Sequence, residues 1–201
     1  MKTRMTHFND ASSPAALLAT RRSGKARDMV APGPGDAGLR AILATATRVP
    51  DHGKLAPWRW LIIGSEQRET LAAGLDAAYL AEKPEAGRLE REAVHGFALQ
   101  APCLVVLLAH PHPASHIPLW EQELSVGAAA MQLCNAAHAQ GFVANWLTGW
   151  ACYSPSVHTL LGAEQGERLA GFFFIGTPAK PLDERPRPVL EDVVRRWSPP
   201  A

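Results

Sequence analysis

The chain has 201 residues, 47% hydrophobic and 19% charged, with 20 Lys and Arg against 19 Asp and Glu for a formal net charge of +1. That length suits one domain with a sizeable core. The balance excludes a disordered polyelectrolyte and makes nucleic acid a poor partner. Cys103, Cys134 and Cys152 follow no CxxC spacing, and two lie in apolar runs, as buried thiols in a reducing compartment do. MKTRMTHFND has no apolar signal core. The most apolar long segment, residues 124–144, is broken by Gln132, Asn135, His138 and Gln140. A cytoplasmic protein without a membrane span is expected.

In chain order, SSPAALLAT puts a serine before Pro14 at the start of a short helix. The helix delivers the chain into RRSGK, where Arg21, Arg22 and Lys25 surround Ser23 and Gly24. On residue types alone, a solvated basic arm and an anion site fit this stretch equally. Leu39, Ile42, Leu43 and Ala46 recur at helical spacing from Asp36, and Pro50 stops the pattern. WRWLIIG reads as a strand, followed by a helix capped at Ser65 with Leu71, Leu75 and Tyr79 on one face, and a second helix follows Pro84.

PCLVVLLAH, FVANWLTG and RLAGFFFIG complete a sheet of about four strands. Between the first two lies LWEQELSVGAAAMQLCNAAHAQG, a helix of roughly twenty residues closed by Gly141 and apolar or small on nearly every face. It is expected to be buried on several sides, by the core, a second subunit or both. The tail is rich in proline and charge, with a short amphipathic helix around Leu190 to Trp197, and reads as either a disordered terminus or an arm folding across a partner, the embedded helix favouring the arm.

Several chemistries lack support. GPGDAG matches G-x-G-x-x-G, but only Met29 and Val30 precede it and prolines interrupt it, so it reads as a turn and not a dinucleotide site. HPHPASH gathers His110, His112 and His116 among prolines without cysteine or carboxylate, which suits a loop better than a metal centre. Glu121 and Glu123 fall on different faces of their helix, so they are no paired acid and base. Trp58 and Trp60 share one side of a strand as core residues. What survives is a set of cations far apart in sequence: Arg21, Arg22 and Lys25, then Arg48, His52 and Lys54, then Lys180, Arg185 and Arg187. Brought together, they would make a phosphate pocket.

RRS near the start, ATRVPDHGKLAPW after the second helix, WEQELSVGAAAMQ, AQGFVANWLTG and GFFFIGTP, in this order, resemble the FMN-dependent nitroreductases, and within them the small YdjA-like branch. The likeness runs from about residue 15 to 178. It implies an α+β fold, a three-layer α/β/α sandwich with a central, mostly antiparallel sheet. It also implies an intertwined homodimer with two FMN sites at the subunit interface. Residues 14–178 would form the FMN-binding domain, 1–13 an extension without fixed structure, and 179–201 a C-terminal arm.

By the resemblance, Arg21, Arg22 and Ser23 hold the flavin phosphate and ribityl end. Arg48, His52 and Lys54 reach the flavin from the other subunit, where Lys54 or Arg48 would favour the reduced, anionic ring. Trp146, Leu147, Thr148 and Gly149 pass beside the isoalloxazine, with Leu147 standing where close relatives carry Arg. Arg185 and Arg187 match tail positions that contact the phosphate in larger members, and Ala56 stands where Gln often precedes Pro-Trp.

The implied activity takes hydride from NADH or NADPH onto flavin N5 and passes electrons to a nitroaromatic, quinone or other planar electrophile by a ping-pong mechanism. The scheme needs no catalytic side chain and no metal. Two alternatives stay open: an FMN storage or delivery protein with weak reductase activity, and a cofactor-free module whose basic ends contact an acidic partner.

Overall fold

In the computed structural model, which describes residues 8–200, the GFFFIG run is the spine of a five-stranded sheet. The strands are β1 (Met29–Val30), β2 (Trp58–Ile63), β3 (Cys103–Ala109), β4 (Val143–Leu147) and β5 (Arg168–Pro178). β5 pairs with β1, β3 and β4, and β2 adds to β3, every pairing antiparallel. The sheet therefore has one strand more than the four expected. β1 is only two residues long, paired as Met29 with Pro178 and Val30 with Thr177, too short for any side-chain periodicity to reveal.

Side chains alternate across β3 and β5, which explains their unbroken apolar runs. Leu104, Val106, Leu108, Phe172 and Phe174 face one layer, where they meet Leu71 and Leu75. Val105, Leu107, Phe173 and Ile175 face the other, where they meet Leu39, Ile42, Val126 and Leu133. The first layer is built from α3 (Arg68–Glu82) and α4 (Arg88–Ala98), the second from α2 (Asp36–Ala46) and α5 (Leu119–Ala139). The α/β/α sandwich is thus borne out.

α1 (Pro14–Thr20) starts as its sequence requires, with Ser13 Oγ accepting from Ala16 N at 3.1 Å and Pro14 at the first position. α5 ends at the expected glycine, Gly141, at φ 84°. Ser65 opens a short 3₁₀ turn, Ser65–Gln67, and α3 comes directly after it. Two short helices, α6 (Trp150–Tyr153) and α7 (Pro155–Leu160), come after β4, and α8 covers only Leu190–Val193 of the longer stretch expected. GPGDAG leads into α2 with Gly35 at its N-cap, and the strand before it pairs antiparallel with β5, so there is no βαβ unit. Residues 1–7 of the expected extension lie outside the described residues. Residues 9 and 10 are tied down: Arg22 N donates to Asn9 Oδ1 at 2.8 Å, and Asp10 N to Thr20 Oγ1 at 2.9 Å.

Candidate functional site

The RRSGK stretch leaves α1 and runs beside the start of the C-terminal arm. Arg22, Ser23, Gly24, Lys25 and Lys180 line a cavity of about 340 Å³ together with Asp28 and Asp183. Arg22 Nε donates to the Asp183 carbonyl, Lys25 Nζ lies 3.4 Å from Asp183 Oδ2, and Lys180 Nζ lies 2.6 Å from Asp28 Oδ1. The bond from Lys180 holds the Asp28 carboxyl below its usual range. Arg21 stands beside this cavity and does not line it. Its Nη1 donates to Ser23 Oγ at 3.2 Å. Burial, with the Arg21 charge second, pushes the nearby His138 down to about 4, so its ring is neutral; His138 Nε2 accepts from Ala144 N at 3.4 Å and fixes the start of β4.

Arg48, His52 and Lys54 gather on a second loop, where α2 gives way to β2, and all three are exposed. Gly53, Lys54 and Ala56 have φ of 72°, 56° and 48°, left-handed positions interrupted by Leu55 at φ −76° and unusual for the two side chains with a Cβ. The Asp51 carboxylate holds them, accepting from Leu55 N at 3.1 Å and Ala56 N at 2.8 Å. Such stored strain concentrates at functional sites. His52 Nδ1 lies 2.7 Å from Glu121 Oε2 at the start of α5, whereas Arg21 lies near Cys134 and His138 towards its end. At 1.5 Å per residue, Glu121 and Cys134 are about 20 Å apart along α5. One protomer therefore keeps its two cation groups well separated.

The stretch Trp146–Gly149 lies between two further cavities. One, of about 230 Å³, is lined by apolar Leu75, Val94, Phe97 and Phe172 and closed by Thr148 and Gly149. The other, of about 490 Å³, has Trp146 beside Glu123, Gly127, Tyr153 and Arg168. The Trp146 indole stacks on Phe173 at 5.5 Å and donates to Ala170 O at 2.9 Å. A Cβ on Gly171 would collide with that indole, so the glycine makes room for it. Leu147 is half-buried, while Thr148 and Gly149 are exposed, Gly149 at φ 135°. Arg185 and Arg187 lie on the exposed tail: Arg187 Nη1 donates to Arg185 O, and Arg187 pairs with Glu184 at 3.7 Å. They do not line the Arg22 cavity, where Lys180 stands instead.

No group of His, Cys, Asp and Glu that could hold a metal occurs among the described residues. In the HPHPASH loop, His110 Nδ1 lies 2.8 Å from Glu167 Oε1. Burial pushes all three cysteine thiols up to about 11, as inert core thiols require. No helix among the described residues is long and apolar enough to cross a membrane.

The nitroreductase family model matches residues 18–177, most of the chain. The chain belongs to the nitroreductase family. The Escherichia coli K12 protein "Putative NAD(P)H nitroreductase YdjA" is 33% identical over 162 residues, 81% of this chain and 86% of that one. A nitroreductase-like family protein from Bacillus cereus superposes with TM-score 0.78 at 21% identity over 98% of both chains. A nitroreductase-fold protein of Desulfovibrio desulfuricans, solved in complex with FMN, gives TM-score 0.69 at 19% identity over 94% of this chain and 99% of that one. At those identities the two structures bear on the fold alone.

Within this nitroreductase chain, sequence reasoning put Lys180 among the late cations that would make a phosphate pocket, while the resemblance gave it no contact with the flavin, and it missed Asp51 altogether. Lys180 enters the Arg22 cavity from more than 150 positions away, which no local pattern signals. Asp51 could have been suspected, since an Asp two residues before a glycine is a turn signal.

Proposed function

We propose that this chain is an FMN-dependent NAD(P)H oxidoreductase that works as a homodimer on planar, electron-poor substrates. The observation that carries the reading is the convergence of Arg22, Ser23, Lys25 and Lys180 on one cavity. Guanidinium, ammonium and hydroxyl donors are the set a phosphate monoester requires, and they fit FMN at its phosphate end provided Lys25 and Lys180 exchange Asp183 and Asp28, which also line the cavity, for the phosphate. The exposed Thr148–Gly149 backbone, with an apolar cavity on one side and the Trp146 indole on the other, suits a flat aromatic ring. When bound, FMN would supply the hydride and electron chemistry.

The chain's own residues bind, orient and exclude water. Arg22, Ser23, Lys25 and Lys180 anchor the phosphate, with Arg21 steadying Ser23. Trp146–Gly149 border the ring. Arg48, His52 and Lys54 serve the site of the second copy, in keeping with the separation of about 20 Å along α5 within one protomer. In that role Lys54, presented by the strained loop on Asp51, stabilises negative charge developing on the ring. The names of the relatives, which include NAD(P)H and FMN, agree with this reading.

The dimer is supported by apolar side chains that a lone protomer leaves in water. Trp120 is 67% exposed and Leu124 53% on α5, and Trp197 is 83% exposed in the arm. Fluorescence titration of the protein with FMN and with riboflavin tests the proposal. FMN should bind at least about a hundredfold more tightly than riboflavin, the worth of two charge-assisted bonds. Equal affinities would remove the phosphate pocket, and no binding of either would remove the flavin.

A further inference from the structure

Glu82, the last residue of α3, grips both ends of the helical turn that comes directly after Thr148–Gly149. Its Oε2 accepts from Trp150 Nε1 at 2.7 Å and its Oε1 from Ser154 Oγ. Trp150 is the first residue of α6, adjoining Gly149. Ser154 ends α6 and caps α7, its own Oγ accepting from Val157 N at 3.2 Å. The bonds from Ser154 and then Trp150 hold the Glu82 carboxyl below its usual range, so it is ionised and acceptor-only at neutral pH.

The Trp150 ring is also wedged edge-on against Tyr79, with centroids 4.8 Å apart at 89°. Tyr79 donates its hydroxyl hydrogen to Glu90 at 2.9 Å and accepts from Lys83 at 2.9 Å. Two polar clusters, Glu82 with Trp150 and Ser154 and Tyr79 with Lys83 and Glu90, joined by the Trp150–Tyr79 ring contact, therefore tie α3, α4, α6 and α7 together immediately behind Gly149. At φ 135° and ψ −162° Gly149 occupies a conformation that only glycine adopts readily, and glycine restrains its own backbone least. The Thr148–Gly149 peptide groups are therefore directed by their two anchors, β4, which ends at Leu147 paired with Phe172, and the α6 turn on their C-terminal side, which Glu82 holds.

We propose that Glu82 is a positioning residue, which by holding Trp150 and Ser154 fixes the Thr148–Gly149 backbone against the ring of the bound flavin. The inference rests on the FMN reading above. It goes beyond that reading by assigning the aim of the ring-bordering backbone to a carboxylate on a different element.

The test compares wild type with Glu82→Ala, Glu82→Gln and Trp150→Phe, each loaded with FMN. The readouts are the visible circular dichroism of the bound flavin, its reduction potential by dye equilibration, and the FMN dissociation constant. In Glu82→Ala the dichroism and potential shift and the dissociation constant rises about tenfold, as for one charged hydrogen bond. Glu82→Gln restores wild-type values, because its carbonyl can accept from the indole and its amide can donate to Ser154 Oγ.

Trp150→Phe keeps a ring against Tyr79 and removes only the N–H. It shifts the dichroism and potential in the same direction as Glu82→Ala, and it decides the matter should the alanine variant not fold. An alanine variant, or failing it a phenylalanine variant, with the wild-type spectrum and potential overturns the proposal. Equal shifts for Ala and Gln overturn it too, since charge and not placement would then be the cause. A wild-type protein that binds no FMN removes the functional reading first, a separate and earlier failure.

Discussion

Replacing Glu167 with Gln should destabilise the fold strongly at neutral pH and much less in acid. The Glu167 side chain is only 1% exposed and is fully engaged. Arg59 Nε donates to Oε1 at 2.9 Å and its Nη2 to Oε2, His110 Nδ1 lies 2.8 Å from Oε1, and Glu164 N donates to Oε2 at 2.8 Å. The Arg59 bond, with those from Glu164 and His110, outweighs burial and holds the carboxyl down at about 2, against an ordinary 4.5. At about 1.4 kcal/mol per unit, that difference corresponds to roughly 3 kcal/mol.

Because the folded value lies below the unfolded one, the contribution is complete above about pH 4.5 and is lost as pH falls towards 2. Urea unfolding of wild type and Glu167→Gln should therefore differ by about 3 kcal/mol at pH 7 and by only about 1.4 kcal/mol at pH 3. A gap at pH 7 under about 1 kcal/mol, the worth of an exposed ion pair, would mean that Glu167 does not act as a buried, paired carboxylate. So would a gap that does not change between the two pH values. The functional link is β5: Glu167 anchors its start, and Arg168 next to it reaches Glu123 across the cavity that Trp146 lines.

Arg22→Ala should weaken FMN binding about tenfold to a hundredfold and leave riboflavin binding unchanged, measured by flavin fluorescence. Equal losses for both ligands would place Arg22 away from the phosphate. Lys54→Ala should lower the reduction potential of bound flavin, read by dye equilibration, whereas an unchanged potential would release Lys54 from the ring. Gly171→Ala should drive the Trp146 indole off Phe173, changing tryptophan fluorescence and costing about 1–3 kcal/mol of stability on chemical unfolding. Removal of residues 179–201 should shift the light-scattering mass from dimer towards monomer, and an unaltered mass would show that the arm is not part of the interface.

How much of this was legible in the sequence depends on whether the signal was local. β3 and β5 announce themselves because burial on both faces leaves no polar position in LVVLL or FFFI. β1 does not, because its two residues are held by main-chain pairing to the end of β5. RRSGK displayed its cations openly, yet the groups that close their cavity, Lys180 with Asp183, arrive through the tertiary fold. Arg185 and Arg187, close by in the chain and equally basic, do not line it. The second loop was located correctly by ATRVPDHGKLAPW. Its left-handed Lys54 and Ala56 could not be foreseen, because both residue types usually avoid that conformation and Asp51 imposes it. Glu82 looked like any polar residue near a helix end. Its partners, Trp150 and Ser154, lie 68 and 72 positions downstream.

On the proposed function, the protein carries FMN and reduces it with a nicotinamide. The visible spectrum of protein incubated with FMN and desalted, taken before and after anaerobic NADH or NADPH, tests it most directly. The expected result is retained flavin absorbance that bleaches with one or both nucleotides and returns when a quinone or nitroaromatic is added. A colourless protein would contradict the claim at the phosphate pocket. A yellow protein that neither nucleotide bleaches would contradict it at the reductase step and point to storage or delivery of the cofactor.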